Sequence, residues 1–116
     1  MFRTSHKDFA CLQNILESID KIKQYSNEFS DADQFLENTK SFDATMMNFV
    51  VIGEMAEKLS DEFIQNTLSE IDWFKIRGFR NIVAHNYFGI DAEEVWQIIH
   101  YSLPTLENNI KKIINP

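Results

Sequence analysis

The stretch Phe9-Ala10-Cys11-Leu12-Gln13-Asn14-Ile15-Leu16-Glu17-Ser18-Ile19-Asp20-Lys21-Ile22 decides the fold class. Phe9, Leu12, Ile15, Leu16, Ile19 and Ile22 recur at steps of three and four, the period of one helical face. Asp8, Glu17, Asp20, Lys21 and Lys23 decorate the rest, so an amphipathic helix is predicted over residues 4–25. The same period returns further on. Phe42, Met46, Phe49, Val50, Gly53, Ala56 and Leu59 form one stripe, which predicts a second helix over 41–59 with Ser41 as N-cap and Asp43 in its first turn. Gly53 costs helix stability, and its place in the stripe signals a close helix–helix approach.

A third helix is predicted over residues 70 to 85 or 87. It is apolar on two flanks, Phe74, Gly78 and Ile82 on one and Ile76, Phe79 and Val83 on the other. A helix this widely apolar is central or shared with a second subunit. A fourth helix starts at Asp91, which forms a capping box with Glu94. Its stripe is Val95, Ile99, Leu103, Leu106, Ile110 and Ile113. Pro104 falls inside it and predicts a kink that releases the carbonyl of His100. Short helices are expected at 31–37 and 62–68. The expected fold is all-α, an antiparallel up-and-down bundle of four main helices with one or two short ones.

Composition agrees. The chain has 116 residues, 44% of them hydrophobic, with ten Phe but only three Gly and two Pro. That suits one helical domain over residues 1–116 that buries roughly two-thirds of its unfolded surface. Cys11 is the single cysteine, so neither an internal disulfide nor a cysteine zinc site is available. It reads as a small buried residue. His6 and His100 have no partners at ligand spacing, so no metal is expected. The start of the chain is polar, and the apolar run Phe49-Val50-Val51-Ile52 is too short to span a bilayer. A soluble cytoplasmic protein is expected. The formal net charge of −7 argues against a general grip on nucleic-acid backbones. It leaves room for a local basic cleft from Lys75, Arg77 and Arg80, joined by Arg3 and Lys7.

The chemistry concentrates in Arg80-Asn81-Ile82-Val83-Ala84-His85-Asn86-Tyr87. Arg offers a planar fork of donors to a phosphate, and His moves a proton near neutral pH. On an ideal helix Arg77, Asn81 and His85 share one strip, while Arg80 and Tyr87 share another. Arg80 and His85 lie about 140° apart. They meet only if the helix unwinds before His85 or a second chain completes the site. Taken by type alone, these residues also have an ordinary account: an arginine paired with a carboxylate such as Glu54, and a buried hydrogen-bonded histidine. Glu54 reads as an ion-pair partner that positions Arg80 or Arg77. Arg77 is either a solvated charge or a second phosphate contact. Trp73 and Trp96 read as packing, and Met46 and Met47 as core or dimer filler.

Arg-x4-His-x-Tyr, set within Trp73, Gly78-Phe79-Arg80-Asn81-Ile82-Val83-Ala84-His85-Asn86-Tyr87, Ile90-Asp91 and Val95-Trp96, resembles the HEPN superfamily, and within it the HepT-like toxins. Val51-Ile52-Gly53-Glu54-Met55-Ala56 is similar to that family's Gly-Glu-Ala stretch. The likeness spans nearly the whole chain. It departs at Asp72, where family members often carry proline. The resemblance implies a helical homodimer that brings two motif copies to one cleft, without metal or cofactor. It implies an endoribonuclease acting as the toxin of a toxin–antitoxin system, with RNA as substrate. Arg80 and His85 would carry the reaction, with Asn81, Arg77 and Glu54 in support. The antitoxin is implied to be an MntA-type nucleotidyltransferase that transfers AMP to Tyr87. A non-catalytic HEPN subunit that binds a nucleotide or docks the nucleotidyltransferase is the alternative, and the acidic balance favours it mildly. A purely structural helical dimer leaves the motif unexplained.

Overall fold

A computed structural model describes residues 4–82 and 91–116. The helices are α1 His6–Ser26, α2 Ala32–Glu37, α3 Thr39–Glu57, α4 Asp61–Thr67, α5 Trp73–Arg77, α6 Ala92–Gln97 and α7 Leu103–Ile114. Residues 79–82 are also helical, and a π-helical turn, Ile98–Ser102, joins α6 to α7. Side-chain caps set most of the starts. Ser5, Asp31, Asn38, Ser60, Asp72 and Asp91 each accept a backbone N–H three residues on. The second long helix therefore begins at Thr39 under Asn38, not at Ser41.

The two long helices α1 and α3 make the most extensive contact in the fold. They run antiparallel, because α2 turns the chain back and the start of α1 meets the end of α3. The apolar stripes read from the sequence face each other: Leu12, Ile15, Ile19 and Ile22 are fully buried, as are Phe49, Ile52 and Ala56. α7 closes a second side of α1 with Leu103, Leu106 and Ile110, and the Lys23–Glu107 ion pair lies beside that seam. Among the described residues no helix is long and apolar enough to cross a membrane.

Three local expectations change. First, Phe9 is 40% exposed, while Asp8 is buried at 2%. The reason is distant in sequence. Asp8 Oδ1 accepts the Ser60 N–H at 2.8 Å and Oδ2 accepts the Ser60 hydroxyl at 2.7 Å, tying the start of α1 to the corner after α3. Second, the kink expected at Pro104 is a wider turn. Proline lacks the N–H that would bond His100, and the turn before it opens to the π pattern, with the Leu103 N–H donating to Ile98 O. Pro104 then sits in the first turn of α7, where a missing donor costs little. Third, the expected third helix is not continuous. It starts at Trp73 and breaks at Gly78, whose N–H donates to both Phe74 O and Lys75 O before the helix resumes at 79.

Burial raises the Asp8 carboxyl, but the hydrogen bonds from Ser60 and Ser5 and the charge of Lys7 outweigh it and hold it below its usual 3.8. The ionised form is thus the one the fold stabilises. Its contribution is complete above the unfolded value and is lost as pH falls through the lower, folded value. Asp8→Ala also strands the Ser60 N–H and hydroxyl, and should cost about 2–3 kcal/mol at pH 7. Urea titrations at pH 7 and pH 3 check this: the gap between the parent and Asp8→Ala should shrink at the lower pH. Cys11, 6% exposed, has its thiol pushed up by burial and by Asp8, so it is a packing residue and not a nucleophile.

Candidate functional site

Arg80 reaches its place through the core behind it. Trp73 starts α5 as a buried anchor, its indole N–H donating to Thr67 Oγ1 at 2.8 Å and its ring 5.9 Å from Phe63. Phe79, 2% exposed, packs edge-on against Phe49 of α3 at 5.5 Å. Gly53 lies one turn beyond Phe49. A Cβ there would stand 2.9 Å from the Arg80 backbone nitrogen and 3.1 Å from Arg77 O. The absent side chain lets the Arg77–Arg80 backbone lie directly on α3, the close approach that the sequence signals. With Phe79 turned inward, its neighbour Arg80 is left on the outside.

Arg80 Nη1 donates to Glu54 Oε1 at 3.2 Å, and Arg80 Nη2 is 3.9 Å from Glu57 Oε2. Arg77 Nε lies 3.6 Å from the same Glu57 oxygen and donates to Ala56 O at 3.4 Å. The two guanidiniums therefore converge on one carboxylate, as side chains three apart along a helix can. Exposed pairs of this kind contribute about 0–1 kcal/mol, so an incoming anion can replace the carboxylates at small cost. Arg77, Arg80, Asn81, Glu57, Gly78 and Phe74 line one shallow hollow of about 340 Å³.

The expected supporting residues are thus gathered in part. Arg80 pairs with Glu54, Arg77 and Arg80 share Glu57, and Asn81 sits at the rim of the hollow with its side chain exposed. Lys75 does not join. It lines a separate hollow with Glu70, Asp72 and Tyr101. Arg3, His85 and Tyr87 lie outside the described residues, as does Val83. Asp72, the departure from the family's proline, caps α5 by accepting the Lys75 N–H at 3.1 Å. Trp73 is core, and Trp96 packs 5.8 Å from Phe35. His100 donates from Nδ1 to Trp96 O at 2.8 Å. Met46 is buried and Met47 is 63% exposed. Among the described residues no group of three His, Cys, Asp or Glu is placed to hold a metal ion.

Two residues of the hollow were missed from sequence. Glu57 follows Gly53 by four and Glu54 by three, a spacing that sets it beside both on α3. Phe74 was assigned to an apolar flank, yet it is 86% exposed.

The family model described as "Ribonuclease HepT-like" matches residues 15–113. "Putative RNase MJ0127" of Methanocaldococcus jannaschii is 34% identical over 104 residues, 90% of this chain and 82% of the relative. "Probable ribonuclease HepT" of Thermococcus cleftensis is 29% identical over 111 residues, 96% of this chain and 97% of the relative. No solved structure matches the chain.

Proposed function

Because this chain belongs to the HepT-like ribonuclease family, we propose that it is a metal-independent endoribonuclease serving as the toxin of a toxin–antitoxin system. The observation that carries the reading is the pair of guanidiniums, Arg77 and Arg80, held in an open hollow by exchangeable carboxylates at the foot of the motif. Cleavage of RNA without metal needs a base for the ribose 2′-OH, an acid for the leaving 5′-oxygen, and positive charge at the pentavalent phosphate. Arg80 supplies the charge, displacing Glu54 and Glu57 as phosphate arrives. His85 supplies base or acid, and a homodimer supplies two copies of it to one cleft. Asn81 supports the site from its rim.

Regulation follows from the same charges. An MntA-type nucleotidyltransferase that transfers AMP to Tyr87 would set bulk and negative charge beside Arg80 and His85. RNA would then be excluded by sterics and repulsion.

The purified chain should cut RNA at defined sites in EDTA, and its expression alone should arrest growth. His85→Ala should remove both effects. The cognate nucleotidyltransferase should rescue cells making the parent chain but not those making Tyr87→Phe. The net charge of −7 favours a second reading, a non-catalytic subunit that holds a nucleotide or docks the nucleotidyltransferase. Intact RNA together with tight nucleotide binding in the same assay would select it.

A further inference from the structure

Phenylalanine is the dominant aromatic of this core, and Phe35, Phe49, Phe63 and Phe79 are almost fully buried. Among the described phenylalanines Phe74 departs furthest from this, with 86% of its surface exposed on α5. A single exposed apolar side chain is ordinary on protein surfaces, so the exposure alone carries nothing. Its surroundings do. Phe74, Arg77 and Gly78 are spaced i, i+3, i+4, and all three line the hollow that holds Arg80 and Asn81. Gly78 adds no side chain beside the ring, and the nearest atoms to a Cβ there are backbone atoms of its own turn. Among the described residues no other ring lies against Phe74. An uncovered aromatic face and two guanidiniums thus open on one space.

We propose that Phe74 is a stacking platform for one unpaired base of the RNA, seated beside the phosphate that Arg77 and Arg80 receive. The inference rests on the ribonuclease reading and narrows its substrate to a single-stranded segment. Every base has a π face, so a lone ring grips single strands with little sequence preference. In a duplex those faces are already stacked. Charge points the same way. The chain as a whole repels a nucleic-acid backbone, and the two arginines beside Phe74 offer it a local landing point.

The test uses the full chain carrying His85→Ala, so that RNA stays intact. Its probes are a short fluorescent RNA strand and the same strand annealed to its complement. Adding Phe74→Ala should weaken single-strand binding about ten-fold or more and leave duplex binding nearly unchanged. Phe74→Tyr and Phe74→Trp should retain affinity, while Phe74→Leu, apolar but without a π face, should not. The site is exposed, so each variant should keep the parent's circular dichroism. If Phe74→Leu binds like the parent, or Phe74→Ala does, stacking is overturned; the ribonuclease reading survives provided Arg80→Ala still weakens binding. If the parent binds neither probe, that reading falls and takes the stacking role with it. Sedimentation of the same samples covers the other occupant: a shift from dimer to monomer in Phe74→Ala, restored by Phe74→Leu, would assign the ring to an interface between copies and overturn the proposal.

Discussion

Replacing Arg80 with alanine should slow RNA cleavage by about 10²–10³-fold while moving the melting temperature by only a few degrees. The two halves of this expectation come from different features of the same side chain. Arg80 is 40% exposed, and its carboxylate partners Glu54 and Glu57 are 47% and 48% exposed. Such pairs contribute about 0–1 kcal/mol, and their loss leaves two carboxylates in water, not two stranded in the core. The fold does not need the guanidinium. The reaction does, because charge builds on the phosphoryl oxygens as the 2′-oxygen attacks, and a fixed cation there acts most strongly in the transition state. Arg80→Lys keeps the charge but loses the planar fork, so its rate should fall between the two. Single-turnover cleavage beside thermal denaturation separates the contributions. An Arg80→Ala chain that cuts at the parent's rate would remove Arg80 from the mechanism. One that unfolds would make it a structural residue.

Much of the architecture is legible in periodicity, because the stripes of α1, α3 and α7 are local patterns that the core then uses directly. What periodicity misses is set by partners far along the chain. Asp8 looks like a solvated helix charge until Ser60, 52 positions on, supplies two donors to it. Phe9 and Phe74 fit an apolar flank by spacing, yet they stay 40% and 86% exposed. The break at Gly78 escapes a helical wheel because it is one residue long. The candidate site divides in the same way. Glu54 was legible as an ion-pair partner of Arg80 or Arg77, and the structure gives it to Arg80. Glu57 was not, since its role appears only once Gly53 has brought the Arg77–Arg80 backbone onto α3.

That dependence on Gly53 makes Gly53→Val the substitution with the largest expected effect on the fold. In most helices exchanging glycine for a residue with a side chain gains stability, by up to about 1 kcal/mol for alanine. Here the new Cβ would stand 2.9 Å from the Arg80 backbone nitrogen and 3.1 Å from both Arg77 O and Arg80 Cβ. Backbone atoms cannot swing aside as a flexible side-chain tip can. Either α3 or the Arg77–Arg80 segment must move, and Phe79 must then loosen its edge-on contact with Phe49. Overpacking of this kind costs about 3 kcal/mol, which lowers the melting temperature of a domain this size by about 12–20 °C. Gly53→Ala should fall in the same direction by a smaller amount, because its gain in helix propensity offsets part of the overlap. The damage should also reach activity at temperatures where the variant is still folded, since displacing Arg80 moves the charge away from the phosphate. Denaturation midpoints and cleavage rates measured on the same Gly53→Ala sample decide the point. A Gly53→Ala chain more stable than the parent would mean that the two helices are not in contact at this glycine, and that Arg80 is positioned by something other than the approach of its backbone to α3.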